Sequence, residues 1–255
     1  MSKLIELQAY SDEKGNTIEY RGAPLTKGIS IVFRGSNNRL IVESPARIDR
    51  LTVLFDCNNG TVRIGANDRQ KGSHLRLNAR VGEDSEINIG RYVTMTNSCF
   101  MTVAEGQSIT VGDDCMIASG NALRTHDGHP IFDLETGKRT NVSRSIAIGN
   151  HVWLGAEAVV MGGANIGDGS VIGFRSVVTK KVPNNSIAAG IPARVVKRNI
   201  AWERPNLTLT EPYYKPDSST VETTPYWRPT VEDEPSAPVQ RIGYWRRIGL
   251  ALIGR

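Results

Sequence analysis

An aliphatic residue recurs at every sixth position between residues 148 and 178. The six positions are Ile148, Leu154, Val160, Ile166, Ile172 and Val178. A period of six fits neither an α-helix, with about 3.6 residues per turn, nor an alternating strand, with a period of about two. A fixed repeat of this kind is typical of solenoids, in which each unit buries its apolar face against its neighbours.

Two further positions of the unit also repeat. The residue after the aliphatic one is usually glycine, and the residue four places after it is small or β-branched. The latter are Val152, Ala158, Ala164, Ser170, Ser176 and Val182. This pattern predicts a β-helix in which three six-residue units, each a short strand and a turn, close one triangular coil. We expect the aliphatic side chains to fill the lumen and the glycines to tolerate the corner geometry.

The repeat extends upstream with a slip. Its earlier aliphatic positions are Ile89, Met95, Met101, Val111, Ile117 and Leu123. Cys99 and Cys115 fall at the small-residue position, so we expect them to fill the core; a reactive or metal-binding thiol is the alternative. Residues 29–88 are rich in strand-like segments that are off register, which predicts irregular coils.

Composition changes near residue 199. Seven of the 12 prolines but three of the 25 glycines lie beyond it, which favours an extended segment that cannot fold alone. The predicted organisation is an N-terminal segment over 1–28, a β-helix domain over 29–198 and a Pro-rich extension over 199–255. The extension ends in a short amphipathic segment, for which we keep two interpretations. One is contact with a membrane face or a biosynthetic partner, and the other is packing on the oligomer or disorder.

The net charge and the length of the apolar runs exclude several classes of protein. The formal net charge is +5, and no dense basic stripe or nucleic-acid-binding motif is present, so no nucleic-acid partner is expected. No apolar run is long enough to span a bilayer and the N-terminus does not resemble a secretory signal. We therefore expect a cytoplasmic protein, with a peripheral position at the inner membrane face as the further option.

The repeat is interrupted after Leu123 and restarts at Ile148. Because a solenoid has no interior room for the 19 residues 129–147, this segment is expected to protrude from one corner as a loop over about 124–147. Long protrusions from rigid scaffolds often carry function. Its start is rich in side chains suited to acid–base chemistry, namely His126, Asp127, His129 and Asp133.

The repeat, together with the run from HVWLGAEAVV to GIPARVVK, resembles the left-handed β-helix acyltransferases of the maltose, galactoside and xenobiotic acetyltransferase branch. The DGHPIFD and HVWLG segments are especially similar to capsular polysaccharide O-acetyltransferases, including those that act on polysialic acid. The resemblance covers 89–198, is weaker over 29–88 and is absent from the tail. It implies a left-handed parallel β-helix, a homotrimer, and transfer of acetyl from acetyl-CoA to a sugar hydroxyl of a bacterial surface or capsular polysaccharide.

The resemblance also implies site residues. His129 matches the family's catalytic base, a role that suits an imidazole near neutral pH, and either Asp127 or Asp133 is a candidate to orient it. Trp153 matches the tryptophan that lines the acetyl-transfer site. We expect Trp153 to lie at a turn with its side chain pointing outward. The alternative role for this side chain is packing against the protruding loop. The backbone N–H of Gly155 is a second candidate oxyanion donor.

Acetyl-CoA would lie in a groove between neighbouring subunits. Its phosphates require cations, and its pantetheine arm requires small residues close to the backbone. The candidates are Gly155, Gly173, Arg175, Thr179, Lys180, Arg194 and Lys197. The chain reads Gly173-Phe174-Arg175-Ser176 where relatives commonly read GAGS, so the usual small contact with pantetheine is in doubt.

Two other functions fit a β-helix. One is a metalloenzyme like the γ-class carbonic anhydrases, with three histidines drawn from His126, His129, His151 and His74. The other is a non-catalytic scaffold that binds neither CoA nor an acceptor. The better match to the acetyltransferase ending favours the enzyme, for which we expect no metal.

Overall fold

The computed structural model describes residues 2–67 and 74–232. Within them the chain forms 23 strands and one short 3₁₀ turn, Ser218–Thr220. The strands, in chain order, are β1 (Ser2–Leu4), β2 (Tyr10–Ser11), β3 (Thr17–Tyr20), β4 (Ile29–Phe33), β5 (Arg39–Val42), β6 (Ile48–Phe55), β7 (Thr61–Ile64), β8 (Leu75–Val81), β9 (Glu86–Ile89), β10 (Thr94–Met95), β11 (Cys99–Val103), β12 (Ser108–Val111), β13 (Met116–Ile117), β14 (Ala122–Arg124), β15 (Ile146–Ile148), β16 (Trp153–Leu154), β17 (Val159–Met161), β18 (Asn165–Ile166), β19 (Val171–Ile172), β20 (Val177–Val178), β21 (Lys181–Val182), β22 (Ile187–Gly190) and β23 (Ala193–Lys197). Among these residues, no helix has the length and apolarity that crossing a membrane requires.

The strands form three sheets that together wrap the lumen. The first sheet has the order β1-β4-β6-β8-β11-β14-β17-β20, and the second has the order β2-β3-β5-β7-β9-β12-β15-β18-β21. The third has the order β10-β13-β16-β19-β22-β23. Between named strands, pairing is parallel except for β1 with β4, β2 with β3 and β22 with β23. The parallel β-helix that the hexapeptide repeat predicts, and that the resemblance implies to be left-handed, is thus confirmed.

The lumen is filled by the residues that the repeat singled out. All six aliphatic residues from Ile148 to Val178 are buried, and so are the upstream positions from Ile89 to Leu123. Cys99 and Cys115 are buried as well, and burial raises the pKa of each thiol to about 12. Thiols that stay protonated at neutral pH are poor nucleophiles, so both cysteines act as core residues, as expected.

The upstream slip comes from wider coils. Leu154 pairs with Ile172, a step of 18 residues, whereas Met101 pairs with Leu123, a step of 22. The four additional residues lie between the first and second sheets, where β11 and β12 are longer than their downstream counterparts. In the preceding coil, β8 and β9 alternate buried with more exposed side chains. This alternation makes the N-terminal coils look irregular when they are read for a period of six.

The repeated glycines serve a different purpose from the one expected. Gly149, Gly155, Gly167 and Gly173 do not have positive φ angles; the left-handed corner falls two residues later, at 151, 157, 163, 169 and 175. What the glycines provide is space. A Cβ on Gly167 would lie 2.4 Å from the backbone nitrogen of Asn184, so adjacent coils could not approach as closely.

Both ends of the described part of the chain pack on the β-helix. β1 and β3, from the predicted N-terminal segment, hydrogen-bond into the first and second sheets. At the other end, residues 199–232, here called the C-terminal strap, run back over the corner between the second and third sheets. Trp202 and Arg204 both contact that corner. The predicted amphipathic segment near the C-terminus lies outside the described residues.

Candidate functional site

The predicted protruding loop joins β14 to β15 and spans residues 125–145, so it leaves the corner between the first and second sheets. His129 lies exposed near its start. No described residue hydrogen-bonds to the His129 imidazole. Its backbone carbonyl accepts a hydrogen bond from Asn141 Nδ2 at 2.9 Å. The ring is therefore presented to solvent from a fixed backbone.

Asn141 ties the outgoing arm of the loop to its returning arm. Besides the His129 carbonyl, its Nδ2 donates to Asp127 Oδ2 at 2.9 Å, and its Oδ1 accepts from the backbone N–H of Ile131 at 2.8 Å. Asp133 instead accepts three hydrogen bonds within its own turn, from Glu135 and Thr136. Neither of the two aspartates proposed to orient His129 contacts its ring in this chain.

His126 fixes the start of the loop, a role that the sequence did not suggest. Its Nδ1 accepts from the backbone N–H of Gly128 at 3.0 Å, and its Nε2 lies 2.9 Å from Thr102 Oγ1. Since Nδ1 accepts, the proton is on Nε2 and the ring is neutral. Burial lowers the pKa of His126, and the positive charge of Arg124 lowers it further, which also favours the neutral ring. His126 is thus an anchor beside the exposed His129.

The returning arm is anchored by Glu105, at the same corner one coil earlier. Its carboxylate pairs with Arg139 and accepts hydrogen bonds from the hydroxyl and backbone N–H of Ser143. These partners lower the pKa of Glu105 to about 2. The loop is therefore held at both of its ends, which is what a general base on a protrusion requires.

Trp153 lies in β16 rather than at a turn, with its side chain on the outer face of the third sheet. It is 37% exposed, and its indole N–H has no partner among the described residues. Its neighbours on the adjacent rungs are Met116 and Val171. The Trp153 ring also contacts the ring of Trp202 in the C-terminal strap, at 5.9 Å between ring centroids. The expected alternative was packing against the protruding loop. No periodicity or motif in the sequence indicated this contact.

The candidate residues fall into two groups on different sides of the β-helix. The loop half comprises His129, Thr179 and Lys180; the tryptophan half comprises Trp153, Gly155, Gly173 and Arg175. Arg194 lies in β23 at the margin of the third sheet and lines a cleft together with Lys180. Thr179 and Lys180 follow β20, at the corner between the first and second sheets from which the loop also leaves two coils earlier. Trp153 lies on the third sheet, and a triangular coil places that sheet opposite this corner. One chain therefore does not bring His129 and Trp153 together.

The loop half includes a shallow cleft. Lys180 and Arg194 line it together with Lys181, Val178 and Val182, and its volume is about 210 Å³. Lys197, at the far end of β23, pairs with Ile187 and lies outside this cleft. Two of the predicted phosphate-binding cations are thus brought to one place.

In the tryptophan half, adjacent coils of the β-helix are in close contact at one corner. A Cβ on Gly155 would lie 2.7 Å from the carbonyl oxygen of Ile172, so the two coils are in close backbone contact there. The backbone N–H of Gly155 donates to the same carbonyl at 2.8 Å and is not free to act as an oxyanion donor. Arg175 pairs with Glu157 at 2.5 Å and its guanidinium lies over the exposed Phe174 ring.

The structure does not assemble the three-histidine alternative within one chain. His74 contacts Asp49, and His151 contacts Asp114, whereas His126 and His129 lie on the protruding loop. Over residues 2–67 and 74–232, no three His, Cys, Asp or Glu side chains are grouped closely enough to hold a metal ion.

Comparison with known proteins indicates the family of this chain. The family described as "Bacterial transferase hexapeptide (six repeats)" matches residues 145–180. The polysialic acid O-acetyltransferase of Neisseria meningitidis is 34% identical over 197 residues, which is 76% of this chain and 89% of that enzyme. The polysialic acid O-acetyltransferase of Escherichia coli O1:K1 is 42% identical over 143 residues, 56% of this chain but 45% of that enzyme.

A solved structure extends the comparison to the fold. The crystal structure of the polySia-specific acetyltransferase NeuO superposes with a TM-score of 0.63 at 41% identity, and the match covers 68% of this chain and 77% of that one. The sequence matches, the repeat and the superposition all indicate the same group of enzymes. This chain belongs to the family of hexapeptide-repeat O-acetyltransferases that includes the polysialic acid O-acetyltransferases.

Proposed function

We propose that this protein transfers an acetyl group from acetyl-CoA to a sugar hydroxyl of a bacterial surface or capsular polysaccharide, with polysialic acid as the first acceptor to test. The observation that carries the proposal is the presentation of His129. Its loop is tied at both ends to a rigid β-helix, by His126 and by Glu105, while its ring has no partner among the described residues. An imidazole held in this way is suited to accept a proton from a bound hydroxyl.

The proposed reaction is a direct transfer. His129 removes the proton from the sugar hydroxyl as that oxygen attacks the thioester carbonyl of acetyl-CoA. The tetrahedral intermediate collapses, the carbon–sulfur bond breaks, and the imidazolium returns the proton to the departing CoA thiolate. No bond to the enzyme forms, so both substrates are bound together.

The indole N–H of Trp153 is the proposed donor to the developing oxyanion. One well-placed donor of this kind contributes about 3 kcal/mol to transition-state stabilisation. Because His129 and Trp153 lie on opposite sides of one chain, the proposal requires a second copy. In a homotrimer, the loop half of one subunit would face the tryptophan half of its neighbour, and acetyl-CoA would lie between them.

The cleft of the loop half is the proposed site for the phosphates of CoA. Lys180 and Arg194 line it, and ammonium and guanidinium groups are the usual partners of phosphate. On the tryptophan half, the pantetheine arm would run in the groove between subunits, past the corner that carries Gly155 and Gly173. Phe174 and Arg175 would border that groove.

The test is release of free thiol from acetyl-CoA with polysialic acid, sialic acid and neutral oligosaccharides as acceptors. We expect acceptor-dependent release by the wild type and a loss of about 100-fold in kcat for His129→Ala. His74→Ala is the matched control, since His74 is a partly exposed histidine outside the protruding loop whose side chain contacts Asp49.

The outcomes separate the rival functions. A folded His129→Ala variant with wild-type kcat would overturn the assignment of the base. Absence of thiol release with every acceptor, together with no retention on immobilised CoA, would favour the non-catalytic scaffold. Release of thiol with neutral sugars but not with polysialic acid would support the acetyltransferase activity and exclude polysialic acid as the acceptor.

A further inference from the structure

Trp153 stands on a strand of only two residues, and its side chain points away from the lumen. Packing inside the β-helix therefore does not fix its ring. Met116 and Val171, its rung neighbours, offer aliphatic contact but no hydrogen bond to orient an indole. The group that contacts the ring from outside is Trp202, which is 49 positions later in the chain.

Trp202 is itself held firmly. It is 8% exposed, and its ring stacks on the His151 imidazole at 4.1 Å between centroids with 13° between planes. Its Nε1 donates to the His151 carbonyl at 3.0 Å, and its own carbonyl accepts from His151 Nε2 at 2.9 Å. These two reciprocal hydrogen bonds join Trp202 to His151, which precedes Trp153 by two positions.

His151 is fixed on its remaining sides. Its Nδ1 donates to Asp114 Oδ2 at 2.7 Å, and the Tyr226 ring stacks on it at 4.8 Å. The two ring nitrogens thus face oxygen atoms, one of a carboxylate and one of a carbonyl. Trp202 is therefore packed against a group that is held on both sides rather than against a mobile one.

Arg204 anchors the same part of the strap. Its Nε pairs with Asp114 Oδ1 at 2.8 Å, and its Nη2 donates to the carbonyls of Asp114 and Cys115. Burial disfavours the charge on Asp114, but the hydrogen bonds and charges of His151 and Arg204 outweigh it and lower its pKa. The strap thus binds the corner beside Trp153 through a charged network.

We infer that the C-terminal strap is a positioning element of the acetyl-transfer site, in which Trp202 sets the orientation of the Trp153 ring. This inference rests on the proposed role of Trp153 as oxyanion donor. Trp202 is a positioning residue, since it is placed to act on the substrate only through Trp153. The strap would then lower the barrier to transfer without contacting either substrate.

The first arm of the test is kinetic. We expect Trp202→Ala to lower kcat by at least about tenfold, as misplacement of a catalytic group does, with little change in KM for acetyl-CoA. Trp202→Phe, which keeps the stack, should recover most of that loss. In the Trp153→Ala background, Trp202→Ala should lower kcat no further. Trp227→Ala is the control, because Trp227 is a 42% exposed tryptophan of the same strap that contacts Glu203.

The second arm does not depend on activity. With Trp227 and Trp245 changed to Phe, Trp153 is the sole indole in both Trp202 variants, because the chain has four tryptophans. We expect lower fluorescence anisotropy and stronger acrylamide quenching of Trp153 with Ala than with Phe at 202. Equal anisotropy in the two variants would overturn the positioning role even if the enzyme is active. Lower anisotropy without a change in kcat would show that Trp202 holds the ring but that the ring is not the oxyanion donor.

Discussion

At the residue scale, glycine and left-handed backbone are separate features of this repeat. The glycine that follows each aliphatic residue allows two coils to approach, whereas the left-handed corner falls two positions later, on residues as different as His151, Glu157 and Arg175. A sequence repeat identifies the position of the glycine but not its reason. The reason depends on atoms of the next coil, which the period alone does not place.

This distinction predicts the effects of two alanine substitutions. Gly167→Ala places a Cβ 2.4 Å from the Asn184 nitrogen at an ordinary φ, and the overpacking should destabilise the fold by about 3 kcal/mol. Gly106→Ala has open space but φ +68, so it should cost about 1 kcal/mol. Urea unfolding of both variants measures the difference. A larger loss for Gly106→Ala would show that conformational freedom matters more than space.

At the element scale, the protruding loop depends on one carboxylate of the neighbouring coil. Glu105 receives Arg139 and Ser143 from the returning arm. Glu83 lies at the same corner one coil earlier. Its carboxylate instead accepts a hydrogen bond from the backbone N–H of Asn58, which lies between β6 and β7. The two glutamates therefore have equivalent positions, but only Glu105 holds the loop.

Replacement of Glu105 should loosen the loop and leave the β-helix intact. We expect Glu105→Gln to speed amide hydrogen exchange over 125–145 and to lower kcat, with a small change in Tm. Glu83→Gln should leave exchange in the loop unchanged. Equal exchange in the loops of the two variants would show that Glu105 is not the anchor.

The same contact has a defined pH dependence. Because the folded pKa of Glu105 is lowered to about 2, its stabilisation of the loop is fully present above about pH 4.5 and is lost as the pH falls towards 2. Loop exchange, corrected for the intrinsic rate, should therefore rise between pH 5 and 3 in the wild type and stay nearly flat in Glu105→Gln. A parallel rise in both would exclude this carboxylate as the cause.

At the scale of the whole molecule, the sequence predicted what is periodic. The lumen residues from Ile148 to Val178, the two core cysteines and the exit of the loop after Leu123 all followed from the repeat. The docking of the strap did not, because Trp202 meets His151 across 51 positions through aromatic and polar contacts without a period. The wide N-terminal coils were also missed, since their extra residues are added in longer strands that alternate with a period of two.

The separation of the two half-sites predicts complementation between inactive subunits. In the proposed homotrimer, the His129→Ala and Trp153→Ala variants should each be nearly inactive. If each site takes its loop half and its tryptophan half from different subunits, refolding an equal mixture should restore about a quarter of wild-type activity, because one random pairing in four is intact. No recovery, with mixed trimers confirmed by mass spectrometry, would place both residues of a site in the same subunit.

The reversed strand β23 has a consequence for solubility. A stack of parallel coils ends in an unpaired edge, and such an edge is a template for the next molecule, so coils could add end to end into a fibre. Here the last parallel strand, β22, pairs with a strand of opposite direction that carries Arg194 and Lys197 outward at its margin. Another coil cannot continue the parallel ladder of the third sheet across it. The chain itself therefore caps this sheet, whereas the first and second sheets end at β20 and β21.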